Sequence, residues 1–357
     1  MTFPEHDPAA VEVVAALPEA VDPFALSLNE NPFPPLPAVR SALIKAIDAA
    51  NRYPEYLPHQ LRRLIAGRIG VHEEQVVLGA GATGAALQVL QAVTAPGDRI
   101  VLTSPTFDGY PILAQMARLD SVSVPLDEHG RHDLDALADA ASTAKAVVLC
   151  RPHNPTGTLE PEADVERFLR RVPSDTVVLL DEAYIEFVAP EHRLDGPALV
   201  RRFPNVVVLR TFSKAYGLAG LRIGYGFGAP DLARTLWTMQ LPFGISITSA
   251  VAVAASFDAE SQLRHRIQFV TSQRRYLWRR LRSMGIYTTD SHANFLYLPA
   301  AGRSWRQEFD AAGVRARHFV DGAARVTVGG RASTRAILGA LAESERSTAN
   351  EPLPIPS

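Results

Sequence analysis

The chain has 357 residues, 47% of them hydrophobic, with 36 basic against 38 acidic side chains and a net charge of −2. That composition supports a packed core of about two domains and argues against wholesale disorder, while the charge balance gives no basic face for nucleic acid or a membrane surface. A single cysteine, Cys150, excludes an internal disulfide, no apolar run approaches a bilayer-spanning length, and residues 1–10 lack a signal-peptide pattern, so a cytoplasmic protein is expected.

Residues 1–36 are rich in proline and read as an extended arm. Helical periodicity covers 38–50. A short strand at 76–78 leads through a glycine turn into a small-residue helix over 82–92. A strand over 99–102 precedes a helix over 109–118. The apolar runs 146–150, 176–180 and 206–209 read as strands buried on both faces. Strands separated by helical stretches imply an α/β fold with a mostly parallel sheet, here assigned to residues 37–244. From 245 to 350 the pattern changes to a smaller α+β domain. It comprises one long helix over 249–284, strands at 286–287, 294–298 and 325–328, and a last helix over 331–344. Residues 351–357 hold three prolines and read as a loose tail. The pairs Arg170-Arg171, Arg201-Arg202 and Arg274-Arg275 read as solvated helix faces.

Of the 36 lysines and arginines only three are lysines: Lys45, Lys145 and Lys214. Arginine stays protonated, whereas lysine can lose its proton and form a Schiff base. Lys214 follows Ser213 in a small-residue segment, Thr211 to Arg222, which makes it a candidate for covalent chemistry. A surface lysine left by drift is the plain alternative.

Three further stretches fall at predicted strand ends, where α/β sheets collect ligands. Gly79-Ala80-Gly81-Ala82-Thr83-Gly84 opens a helix and suits a phosphate, although a glycine turn that merely starts a helix is commoner. Asn154, in Arg151-Pro152-His153-Asn154-Pro155-Thr156-Gly157, can offer an amide to a ligand oxygen; His153 reads as a structural neighbour. Asp181, in Asp181-Glu182-Ala183-Tyr184, ends an apolar strand, and a carboxylate buried there needs a cation or strong donor. A protonated ring nitrogen would serve, and Tyr184 can reach the same ligand; a helix cap is the plain alternative. Ser213 and Arg222 add phosphate ligands. Tyr110, after Ser104-Pro105-Thr106-Phe107, fits as an aromatic to stack on a ring. Pyridoxal phosphate needs this set of groups.

On these motifs the sequence resembles the fold-type I pyridoxal-phosphate aminotransferases, and most of all the histidinol-phosphate aminotransferase family with its actinobacterial aromatic amino acid branch. The likeness runs from Ser27-Leu28-Asn29-Glu30-Asn31-Pro32 to Arg325-Val326-Thr327-Val328-Gly329. It implies a large α/β/α domain plus a smaller α+β domain, pyridoxal 5′-phosphate as cofactor, no metal, and a ping-pong exchange between an amino donor and a 2-oxo acid. It further implies that Lys214 holds the cofactor and moves the substrate proton. Asp181 would pair with the ring nitrogen, and Asn154 and Tyr184 with the ring oxygen. Ala82, Thr83, Ser213 and Arg222 would hold the phosphate. Tyr53 would reach the partner subunit's cofactor in a homodimer. Arg325 would grip the substrate carboxylate, with Asn294, Asn29 and Arg317 also at the substrate; Arg315 is an alternative to Arg317. Thr83-Gly84, in place of an acidic pair, and Leu241-Pro242-Phe243-Gly244 lean towards the aromatic branch. Leu28 to Pro32 and the Gly157 ending lean towards the histidinol-phosphate form. A decarboxylase of the threonine-phosphate type and a non-catalytic cofactor-binding sensor are the other readings.

Overall fold

The computed structural model describes residues 18–349. Its main sheet has seven strands: β1 (Val76–Gly79), β2 (Arg99–Ser104), β3 (Asp120–Pro125), β4 (Ala146–Cys150), β5 (Val177–Asp181), β6 (Val206–Thr211) and β7 (Gly224–Gly228). Their order across the sheet is β1-β7-β6-β5-β4-β2-β3. All pairings are parallel except the two made by β7. The central strands β4, β5 and β7 are buried at every position. Such double-faced burial explains why β4 and β5 read as unbroken apolar runs rather than alternating ones. Each fully buried Val or Leu adds about 1.5–3 kcal/mol of apolar transfer.

The antiparallel β7 shapes the site. After β6 the chain runs through residues 212–223 at the carboxyl end of the sheet and returns beside β1, with Gly79 opposite Gly224. A side chain at Gly224 would strike the backbone nitrogen of Ala82 at 2.3 Å. Only glycine there lets the helix Gly81–Val93 start this close to β7.

A second sheet of three antiparallel strands, β8 (Phe295–Leu298), β9 (Arg317–His318) and β10 (Ala324–Thr327), has the order β8-β10-β9. The arm docks along it: Leu26 donates to the Arg315 carbonyl at 3.0 Å, and Thr327 donates to the Leu26 carbonyl at 2.8 Å. Leu26 and Leu36 are buried and Asp22 pairs with Arg315, so the arm is anchored from Asp22 to Leu36. Residues 1–17 and 350–357, which include the expected tail over 351–357, lie outside the described residues.

Several expected elements differ. The long helix over 249–284 is two helices, Ile247–Asp258 and Glu260–Ser283, because Ala259 (φ −95°, ψ 29°) leaves helical geometry. Residues 286–287 are irregular rather than a strand. The helix expected over 38–50 is Pro37–Ala46 followed by a 3₁₀ turn, Ile47–Asn51. The helix His59–Ile69 and strands β3, β7 and β9 were not anticipated. The half-exposed pattern of β3 and the glycines of β7 hide them from an apolar-run search. Arg274 is buried, not solvated, and donates to the Ala293 carbonyl at 2.5 Å. Burial pushes its pKa down to about 10. Among the described residues no helix is long and apolar enough to cross a membrane.

Candidate active site

A cavity of about 320 Å³ lies over the carboxyl ends of β1, β4, β5 and β6. Ala82, Thr83, Tyr110, Asn154, Asp181, Tyr184, Ser213, Lys214, Arg222, Arg317, Arg325 and Asn29 all line it. Parallel strands end at one edge, so residues scattered between 80 and 222 meet there.

One end is built for an anion. The helix Gly81–Val93 begins there with unpaired N–H groups and no side-chain cap. Arg222, held in left-handed geometry (φ 52°), crosses this helix start and donates to Ser213 Oγ at 3.3 Å, to the Ala219 carbonyl at 2.9 Å and to the Ala80 carbonyl at 3.3 Å. A β-carbon on Gly81 would meet Arg222 Nη2 at 2.4 Å, and Gly81 itself takes φ +77°. The positive φ favours glycine there, and a side chain would also push the Arg222 guanidinium from its place.

At the floor stands Asp181, buried at the tip of β5 and in register with Cys150 of β4. Its carboxylate accepts from Tyr110 Oη at 2.6 Å and from the Ala183 nitrogen at 2.9 Å. Burial raises the Asp181 pKa, and those two donors pull against the rise. The carboxylate has lone pairs left for one more cationic donor. The Tyr110 hydroxyl contact was not foreseen; the ring itself is among the cavity walls.

Between floor and mouth is a polar chain. Asn29 Nδ2 donates to Tyr184 Oη at 3.0 Å, and Asn154 Nδ2 donates to it at 3.3 Å. Asn154 Oδ1 accepts from the Arg325 guanidinium, whose other arm donates to the Ser27 carbonyl at 2.6 Å. Burial lifts the Tyr184 hydroxyl to about 12, despite the nearby Arg325 charge. Behind this chain His153 is fully buried, with Nδ1 at 2.8 Å from Thr156 Oγ1, and burial keeps it neutral by pushing its pKa well below the usual range.

Lys214 is half-buried, with Nζ donating to the Leu28 carbonyl at 2.9 Å and lying 5.8 Å from the Tyr184 ring centre. Desolvation, then the Arg325 charge, lower its pKa to about 8. A neutral amine is thus accessible near physiological pH. The backbone of Lys214 is fixed from the arm, where Asn31 Nδ2 donates to the Lys214 and Ala215 carbonyls at 3.2 and 3.0 Å.

Two expected residues stand apart. Asn294 does not line the cavity; it is buried and donates to the Asn29 carbonyl at 3.1 Å, supporting Asn29 from behind. Tyr53 is 83% exposed and packs 4.8 Å from the Phe243 ring, away from its own chain's cavity. Arg315 is engaged elsewhere, paired with Asp22, while Arg317 lines the cavity. The structure adds Phe107, Asp108 and Leu28 to the walls. Asp108 precedes a helix and would be taken for an ordinary cap from sequence. No cluster suited to hold a metal ion occurs among the described residues.

The family described as aminotransferase class I and II matches residues 21–340. An aromatic amino acid aminotransferase of Streptomyces avermitilis is 41% identical over 92% of this chain and 90% of its own length. One from Cutibacterium acnes is 40% identical over 89% and 92%. A histidinol-phosphate aminotransferase of Sinorhizobium meliloti, solved in complex with pyridoxal-5′-phosphate, is 26% identical, covers 97% of this chain and 96% of its own, and superposes with a TM-score of 0.83.

Proposed function

For a chain that belongs to the class I and II aminotransferases, we propose that the amino donor is an aromatic amino acid and that the residues converging on the cavity carry the exchange with a 2-oxo acid. The fold is that of the fold-type I enzymes, and the cofactor is pyridoxal 5′-phosphate. The residues present fit that group. They comprise an uncapped helix start crossed by Arg222 for the phosphate, a buried carboxylate with a free acceptor site for the ring nitrogen, and a lysine with a lowered pKa between them.

When bound, the cofactor supplies an electron sink for a substrate held at its reactive carbon. Asp181 keeps a positive charge on the ring nitrogen, its low-dielectric surroundings strengthening the pair. Asn154 and Tyr184 set a hydrogen-bonded edge for the ring oxygen. Ser213, Arg222 and the N–H groups of Ala82 and Thr83 hold the phosphate. Arg325 binds the substrate carboxylate in bidentate fashion, oriented by Asn154 and the Ser27 carbonyl. Lys214 carries the proton to and from the substrate α-carbon, for which a pKa of about 8 is well placed.

The convergence of Lys214, Asp181, Arg222 and Arg325 on one cavity carries this reading. The two aromatic amino acid aminotransferases, at 41% and 40% identity, support the aromatic substrate. In the test, purified protein is mixed with phenylalanine or with histidinol phosphate without an acceptor while the bound cofactor's absorbance is followed. Phenylalanine should react faster; faster reaction with histidinol phosphate overturns the substrate assignment.

The active unit in this reading is a homodimer, with residues 37–244 as the cofactor-holding domain and 245–350 as the smaller one. Tyr53, Tyr56 and Phe243 form an exposed aromatic cluster, with Leu241 nearby at 68% exposure. A second copy covering that patch would bring Tyr53 to the neighbouring phosphate site. Light scattering giving the monomer mass for the active enzyme would contradict this.

A further inference from the structure

The rim of the cavity holds a charge arrangement that the exchange reaction itself does not require. Register in the small sheet places Arg317 of β9 directly opposite Arg325 of β10. Residues directly opposite share a face, so both arginine side chains rise from the same face of the small sheet, and both line the cavity. Burial lowers the Arg325 pKa and the Arg317 charge adds to that, while Tyr184 and Asp108 pull against it.

Arg325 is engaged with Asn154 and the Ser27 carbonyl. Arg317 would then be free to take a second anion on the substrate side chain. It is not free, because Asp108 pairs with it at 2.8 Å. Asp108 occupies the cap position of the helix Gly109–Met116, yet its side chain makes no cap hydrogen bond. Its backbone is helical there (φ −53°, ψ −19°), so the side chain is not placed to cap and is left for another partner. It reaches a strand more than two hundred residues further along the chain. Phe107 and Leu28 line the same cavity, as does Glu30, and the Arg317 guanidinium lies 5.8 Å from the Phe319 ring centre.

We propose that Asp108 is a specificity-determining residue, whose carboxylate neutralises Arg317 so that the cavity accepts one carboxylate at Arg325 and disfavours a second anion on the side chain. The inference rests on the aminotransferase site described above and deepens it. It assigns the distal subsite to neutral, aromatic side chains by charge cancellation as well as by shape. The pair is partly exposed, with 63% of the Asp108 and 45% of the Arg317 side chain accessible. Its effect on a bound anion is therefore modest, about ten-fold, between the limits for water and for a buried site.

The test uses the holoenzyme and two unreactive acids. 3-Phenylpropionate carries one carboxylate and a phenyl ring; glutarate carries two carboxylates. Dissociation constants are measured by calorimetry for the wild type, D108N, D108A and R317Q. In D108N and D108A the ratio of the glutarate constant to the 3-phenylpropionate constant should fall about ten-fold. In R317Q it should not fall, because the cation that would bind the second carboxylate is gone. An unchanged ratio in both Asp108 variants overturns the proposal, as does an equal change for both acids. Failure of the underlying reading looks different: the wild type would then not transaminate phenylalanine, whatever the ratios.

Discussion

The two ends of the cavity are built on different principles. The end proposed for the cofactor rests on the tips of buried parallel strands, and the groups assigned to it there, Asp181, Asn154 and Ser213, are buried. The substrate end is assembled from the arm, the start of one helix and the small sheet, and its outer groups Asp108 and Arg317 are largely exposed. A charge at the first end acts through low dielectric and fixed donors; a charge at the second acts through balance with a neighbour. Damage to the cofactor end should therefore abolish turnover of every substrate, while damage to the substrate end should change which substrate is preferred.

The sharpest way to break that contrast is at the lysine. Lys214→Ala should lower transamination of phenylalanine and of any other donor by about a thousand-fold or more, read as initial rates with saturating cofactor. Retained activity would remove Lys214 from the mechanism. Asp181→Asn keeps the shape of the floor and loses its charge. It should cost about a hundred-fold or more in kcat and weaken retention of the cofactor on dialysis. Equal losses for neutral and anionic donors would fit the contrast; a selective loss would not.

At the other end, Arg325→Gln should raise KM for phenylalanine by about a hundred-fold with a smaller change in kcat, since a bidentate charged contact is lost. A pure kcat effect would place Arg325 with the cofactor machinery instead. The pH dependence of cofactor loading probes the lysine itself. Only the neutral amine attacks the cofactor aldehyde. With a pKa lowered to about 8, the loading rate of the cofactor-free protein should rise through pH 8 and level off above it. A rate still climbing towards pH 10 would mean that Lys214 is not desolvated as its surroundings indicate. The smallest effect belongs to Tyr184→Phe, which should cost about ten-fold or less, because Asn154 remains to meet the ring oxygen.

The cofactor end was largely legible because its residues lie in short motifs attached to recognisable strands. A buried strand must be continuously apolar, so a polar residue at its tip, such as Asp181, stands out. A chain with three lysines likewise draws the eye to Lys214. The substrate end was legible only through resemblance, and then unevenly. Arg317 proves to be a cavity residue and Arg315 an arm contact. Asn294 proves to be a support for Asn29.

Local sequence patterns suffice for the alternation of strands and helices, the chemistry available at the strand ends, and the family. These follow from local patterns, in which a residue's neighbours in the chain fix its role. The break at Ala259, the antiparallel return of β7 beside the segment holding Arg222, and the burial of Arg274 emerge from the packing of the whole fold. It alone brought Asp108 to Arg317. Contacts between residues two hundred positions apart depend on strand order and register, and no local pattern encodes either.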